Sequence, residues 1–196
     1  MAATQWCRRL VVALPLLVAQ PRAWAWHPDP AAGAIIAADA AVAWFAITGP
    51  APAEAARAEL AASIGAFNVA QNKGSSAQYG VEYRFGGRRY WNGEPVVGVA
   101  VTAQEAKYGY GGLRFALPVG ERLELASTFA LAGYSRGNGK DLGSAKEFYF
   151  EFGADYRFAN DTRVGLAFRH LSHDDLFSTY DPGADIAVLT ISFPTR

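Results

Sequence analysis

Two of the three histidines in this 196-residue chain, His170 and His173, lie in one polar stretch, "FRHLSHDDLFSTYDPGAD", from Phe168 to Asp185. The same stretch holds Ser172 and four aspartates, Asp181 and Asp185 among them. These residue types can build a nucleophilic site. A serine hydroxyl attacks when a base takes its proton, and an acid holds that base in the right tautomer and stabilises its cation. Ser172, His170 and Asp185 can fill those roles if the fold brings them together. The alternative is a polar strand end followed by a solvated loop. In that case Asp174, Asp175 and Asp181 bond water, and Asp181-Pro182-Gly183 only makes a turn.

Which reading holds depends on where the side chains point, and so on the elements that carry them. From about Ser63 onward the pattern has period two. In "KEFYFEFGADYRF", Phe148, Phe150, Phe152, Ala154, Tyr156 and Phe158 share one face, and Glu147, Tyr149, Glu151, Asp155 and Arg157 share the other. "AQYGVEYRF" and "RLELASTFAL" alternate in the same way. Alternation of this length means strands with one apolar and one polar face. Eight strands are expected near 61–70, 77–86, 95–103, 107–117, 121–133, 146–158, 162–172 and 184–193. The first and third alternate poorly. Eight strands of similar length joined by Gly, Asn and Asp turns predict an all-β, eight-stranded antiparallel up-and-down barrel.

Such a barrel can be soluble, with its apolar face inside, or transmembrane, with that face against lipid. Three features favour the transmembrane form. Charges of both signs crowd the polar face, as an interior ion-pair network requires. Aromatics gather near strand ends (Tyr90, Trp91, Tyr156, Phe158, Phe168, Phe193), as in an interfacial girdle. The last strand closes on "LTISF". Short periplasmic turns ("PVGE", "ANDT") then alternate with long external loops ("SRGNGKDLGSA", "HDDLFSTYDPG"), although the connection "GGRRYWNGE" is longer than that rule expects.

The N-terminus reads as a secretory signal over 1–25. Arg8 and Arg9 precede the apolar run "LVVALPLLVA", and "AWA" offers a small-x-small cleavage site after Ala25. Cleavage would remove Cys7, the only cysteine, and with it any thiol nucleophile, disulfide or thiolate metal site. It would also remove Arg8, Arg9 and Arg22, leaving 15 basic against 18 acidic residues, a net of −3. That balance offers no basic footprint for nucleic acid. Residues 26–60 are Ala-rich and read as a linker or surface helix, with a short helix after Pro52. The barrel is expected over 61–196.

On the seventh strand, "TRVGLAFRHLS", His170 and Ser172 share a face with Val164, Leu166 and Phe168, which is the lipid face. On the eighth, Asp185 shares a face with Leu189, Ile191 and Phe193. A hairpin can therefore bring Asp185 beside His170 and Ser172 on the lipid side, at the outer end. Ionisable groups there are costly unless used.

The run "GYSRGNGKDLGSAKEFYFEFGADYRFANDTRVGLAFRHLSHDDL", followed by "DPGAD", resembles the C-terminal half of the outer-membrane lipid A 3-O-deacylases of the PagL type. The resemblance is strongest over 133–193 and extends to about 61–193. It implies an eight-stranded outer-membrane barrel with its active site on the exterior near the outer leaflet. The substrate it implies is an ester-linked acyl chain of lipopolysaccharide, and it requires no metal and no organic cofactor. It makes His170 the base and Ser172 the nucleophile, and sets Asp185 near the family glutamate, two residues after Gly183. Two positions depart from the family pattern: the Asn after the serine is His173, and the turn Asn implicated in the oxyanion hole is Asp181. A carboxylate at Asp181 would put negative charge where an oxyanion should form, unless His173 or backbone N–H groups take over. The resemblance therefore leaves two expectations, a lipid A deacylase-like esterase or a degenerate barrel of the same fold.

Overall fold

The computed structural model describes residues 30–50, 57–70, 74–87, 89–173 and 176–195. The expected signal segment lies outside these residues, as does the first half of the short helix expected after Pro52; its second half is not helical, because Glu59 and Leu60 already belong to the first strand of the closed sheet. Eight strands run antiparallel in sequence order: β1 (Glu59–Phe67), β2 (Ser76–Arg84), β3 (Glu94–Thr102), β4 (Lys107–Pro118), β5 (Leu123–Ser135), β6 (Lys146–Arg157), β7 (Arg163–Ser172) and β8 (Ala184–Pro194). β1 pairs with β8, from Glu59↔Pro194 to Phe67↔Ile186, and closes the barrel. All eight expected strands are present within two or three residues of their expected bounds.

The faces are those of a transmembrane barrel. Val97, Val99 and Val101 of β3, Phe129 and Leu131 of β5, and Leu166 and Phe168 of β7 all point outward and are exposed. The interior is polar and filled. Arg114 lies 2.8 Å from both Glu124 and Asp155, and Arg84 reaches Glu82 at 2.8 Å and Glu59 at 3.1 Å. Arg163 also pairs with Glu59. Nearer the other end, Arg169 pairs with Glu151 and lies over the Tyr149 ring, which stacks on Tyr110 at 4.1 Å. The weak alternation of β3 has a cause here. A Cβ on the inward-facing Gly98 would sit 2.3 Å from the Tyr110 ring. The neighbouring strand fills the interior at that level, so β3 carries small residues there.

Five of the six aromatics expected in a girdle (Tyr90, Trp91, Tyr156, Phe158 and Phe193) are exposed at the end of the barrel where β1 begins and β8 ends. Phe168 lies mid-wall instead. The long connection at that end also has an explanation. Within residues 85–93, Tyr90 and Gly93 exchange both backbone hydrogen bonds at 2.8 Å, around Trp91 (φ 53°) and Asn92 (φ 67°). Two successive left-handed residues make the hairpin turn that matches strand twist. The extra length is thus a small hairpin of its own.

That hairpin meets the Ala-rich segment. Helix α1 (Pro30–Thr48) packs against β4, β5, β6 and β7 on the outside of the barrel. Ser127 of β5 points outward like Phe129, yet it is fully buried, because α1 covers it. Asp39 is buried on the helix face turned toward Ser127. Trp44 and Phe45 remain exposed on the far side. Asn92 Nδ2 donates to the Ala46 carbonyl at 3.0 Å, satisfying one of the unpaired carbonyls that end a helix. Among the described residues α1 is the one helix long and apolar enough to cross a membrane, and here it lies along the barrel wall.

Candidate active site

β7 and β8 set the centre of the site. Their register pairs His170 directly with Asp185, and both side chains point outward. His170 Nδ1 lies 2.8 Å from Asp185 Oδ1, and both residues are buried although they face the outer wall. An ionised carboxylate can only accept, so Nδ1 carries the proton and Nε2 keeps a lone pair. That is the tautomer a general base needs. Ser172 follows two positions later on the same face. The turn glycine completes the packing: Gly183 has φ 52°, and a Cβ on it would lie 3.0 Å from His170 Cε1. Only a residue without a side chain lets the turn lie flat against the imidazole.

The oxyanion side is arranged differently. Asp181 Oδ2 accepts from the Ser172 hydroxyl at 2.9 Å and from the His173 backbone N–H at 2.9 Å. Asp181 Oδ1 accepts from the Gly183 N–H at 3.2 Å. The carboxylate therefore organises its own turn. It also occupies both the serine proton and the N–H of the residue after the serine, a position that often stabilises tetrahedral oxyanions. The His173 ring does not take over as a donor to substrate. It is fully buried, and its Nε2 lies 3.2 Å from the carbonyls of both Leu142 and Tyr180. Two carbonyl acceptors put the proton on Nε2. His173 thus ties the β7–β8 loop to the β5–β6 loop.

The other half of this brace has no signature in the sequence. Lys140, in the β5–β6 loop, donates to Asn68 Oδ1 at 2.9 Å, to the Pro182 carbonyl at 3.3 Å and to the Gly183 carbonyl. One ammonium thus joins three loops and holds the turn that packs on His170. Nearby, the Gly143 N–H donates to Asp141 Oδ1 at 2.9 Å, and Arg136 pairs with the same carboxyl. These bonds, the backbone one first, hold the Asp141 carboxyl below the usual carboxylate range. No spacing rule picks out a lysine whose partners lie 42 to 72 residues away.

Gly143 is the tightest point of the brace. It has φ 83°, and a Cβ on it would lie 1.8 Å from the Tyr180 carbonyl. Gly143→Ala should therefore push the β7–β8 loop outward, at a local cost of roughly 1–3 kcal/mol. Limited proteolysis should cut the variant faster within 173–183, while its barrel keeps the folded, heat-modifiable gel mobility of the wild type. Equal cleavage rates would show that the brace does not hold the loop.

A closed eight-stranded barrel with an apolar wall and a filled polar interior is an outer-membrane barrel by construction. Residues 56–194 match the family described as Lipid A 3-O-deacylase (PagL), and the chain belongs to that family of the bacterial outer membrane. Among solved structures, it is similar to the outer membrane enzyme PagL, with TM-score 0.54 and 19% identity over 70% of this chain and 99% of that one. The N-terminal β-barrel domain of Pseudomonas aeruginosa OprF gives TM-score 0.50 at 11% identity, over 72% of this chain and 100% of that one. At these identities the likeness is one of fold. No curated protein matches the chain significantly.

Proposed function

We propose that the chain is a lipid A esterase of the outer leaflet, hydrolysing an acyl ester, the 3-O-linked one, of lipopolysaccharide. The observation that carries this reading is the 2.8 Å bond between His170 and Asp185 on the lipid-facing wall, beside Ser172. In the proposed reaction Ser172 Oγ attacks the ester carbonyl carbon and its proton passes to His170 Nε2. The tetrahedral intermediate collapses, the bond from carbonyl carbon to sugar oxygen breaks, and His170 returns the proton to the leaving hydroxyl. Water, deprotonated by the same imidazole, then releases the fatty acid from Ser172. Asp185 fixes the tautomer and stabilises the imidazolium. The chain's own residues supply every step.

The proposed topology, with the signal cleaved after Ala25, places the start of β1 and the end of β8 on the periplasmic side, and the β5–β6 and β7–β8 loops outside the cell. Ser172 then lies at the level of outer-leaflet headgroups, where an acyl ester of lipid A is found.

One observation favours a second reading, a barrel of the same fold that is inactive as it stands. Asp181 holds the Ser172 proton and the His173 N–H that catalysis would use. Mass spectrometry of lipid A from cells producing the protein separates the two. The esterase reading expects a fraction of lipid A lacking one ester-linked acyl chain, and expects Ser172→Ala to abolish that fraction. Identical spectra for wild type, Ser172→Ala and cells without the protein would remove it.

A further inference from the structure

Beyond the ester bond, the structure carries an inference about what holds the rest of the substrate. The outward row of β6 runs from the loop end as Lys146, Phe148, Phe150 and Phe152. Register places Phe148 beside Ser172 and Phe150 beside His170. Lys146 is thus one outward position beyond the level of the serine, about 7 Å further along the strand toward the loop end. An acyl ester marks the junction between apolar chain and polar headgroup. With its carbonyl at Ser172, the chain lies down the wall past Phe150 toward the exposed Phe168, beside the seat of α1, and the headgroup reaches the level of Lys146.

The ammonium there is held ready. It lies 5.6 Å from the centroid of the Phe177 ring, and Phe177 in turn stacks on Phe148 at 6.2 Å. The aromatic step fixes the position of the charge without neutralising it. Two other loop-end cations are engaged. Arg136 pairs with Asp141 at 2.8 Å, and Lys140 is bound by Asn68 and by two carbonyls. Lys146 has no carboxylate within ion-pair distance among the described residues, and its side chain is exposed. Its register partner on β5 is Gly133, in front of which a Cβ would meet nothing within 4 Å. Across that bare backbone β4 presents Gly109, and exposed Lys107, paired with Ser135, closes the far side of the shelf one outward position nearer the loop end. Two strand spacings and a two-residue offset separate the two lysines by about 12 Å.

We infer that Lys146, supported by Lys107 across the Gly133 shelf, binds an anionic group of the phosphate class on the lipid headgroup and so sets which lipid presents its ester to Ser172. This rests on the site being a lipid esterase. Lys146 is here a specificity residue and takes no part in the chemistry.

The test uses full-length protein purified from outer membranes in mixed micelles. Two probes are compared, lipid A carrying both phosphates and the same lipid A after phosphatase treatment. The variants are Lys146→Met, which keeps the aliphatic stem on Phe177, Lys146→Arg and Lys107→Met. Binding is measured first, in the Ser172→Ala background. Lys146→Met should weaken binding of the phosphorylated lipid about tenfold or more, the range set by a charge-assisted contact. It should leave the dephosphorylated lipid unchanged, and Lys146→Arg should restore the wild-type value. Added salt should erode the difference, since the site is exposed. With serine restored, the same loss should appear in KM with kcat held.

Equal weakening for both lipids, or no weakening for either, would overturn the inference. Phosphate-dependent binding without any hydrolysis would keep this site and remove the esterase reading. Hydrolysis that ignores both the phosphates and the Lys146 charge would do the reverse.

Discussion

Asp181→Asn should raise the rate of acyl hydrolysis by about 10²- to 10³-fold, the range set by gaining one oxyanion donor. The gain follows from one atom changing sign. In the wild type Asp181 Oδ2 accepts from both the Ser172 hydroxyl and the His173 N–H, each at 2.9 Å. A negative oxygen bonded to the nucleophile and to the next backbone N–H occupies the place the oxyanion of a tetrahedral intermediate must take. In the variant the amide oxygen can keep the Gly183 N–H bond that forms the turn, now 3.2 Å long, so the loop is not abandoned. The amide nitrogen then falls near the present Oδ2 position and can only donate. It cannot accept the serine proton, so the hydroxyl is freed to turn toward His170 Nε2. It also repels the His173 N–H, which leaves that donor for substrate. Both changes favour the transition state over the ground state, so the effect belongs in kcat.

The measurement is release of fatty acid from lipid A by wild type, Asp181→Asn and Asp181→Asn/Ser172→Ala, alongside labelling of Ser172 by an alkyl fluorophosphonate. Labelling should rise with hydrolysis in the single variant and vanish in the double. Because the carboxylate suppresses the wild-type rate, Ser172→Ala alone, although it abolishes hydrolysis, should remove less absolute rate than Asp181→Asn adds. A single variant no faster than wild type, with its barrel intact, would show that Asp181 is not what limits the site.

The parts of this site that could be read from sequence are those governed by period two. Strict alternation in β6 and β7 fixed which side chains face lipid, and a hairpin between β7 and β8 was enough to set His170 against Asp185. Turn chemistry placed Asp181 and Gly183, but not the direction of the Asp181 carboxyl, which depends on hydrogen bonds from Ser172 and His173 at the end of β7. His173 was misleading for the same reason. As a histidine beside the serine it suggested a substitute donor, whereas its ring is spent on the Leu142 and Tyr180 carbonyls. Lys140 had no periodic or motif signature at all. The helix α1 could be expected from composition, but its seat on the outer wall could not. Its buried residues, Ala32, Ile35, Asp39, Val42 and Ala46, are mostly small or aliphatic and stand out little from an Ala-rich background. In β3 alternation faded where the interior was already filled from the neighbouring strand, as Tyr110 does opposite Gly98.

Arg114→Met should destabilise the barrel by about 3–5 kcal/mol, the usual result of removing one partner from a buried charge cluster. Arg114 is almost wholly buried, and its guanidinium lies 2.8 Å from Glu124 and 2.8 Å from Asp155. Met fills the channel of the stem but offers no charge. Among the described residues Asp155 would then keep Arg84 at 3.9 Å and the Thr190 hydroxyl at 3.4 Å, while Arg84 is already committed to Glu59 and Glu82. Two carboxylates would be left facing each other in a closed interior with one distant cation between them. The cost is therefore that of stranded charge, more than of a lost contact. A second substitution tests this directly. Asp155→Asn in the Arg114→Met background removes one stranded carboxylate and should recover part of the loss, although Asp155→Asn alone should destabilise the wild type. That sign reversal is a coupling energy between neighbours. It can be measured as the urea midpoint for loss of heat-modifiable gel mobility in detergent, for the four proteins of the cycle. Additive effects of the two substitutions would mean that solvent reaches the cluster and screens it. The stack of interior ion pairs would then contribute little to holding β7 and β8, and with them His170 and Asp185, in register.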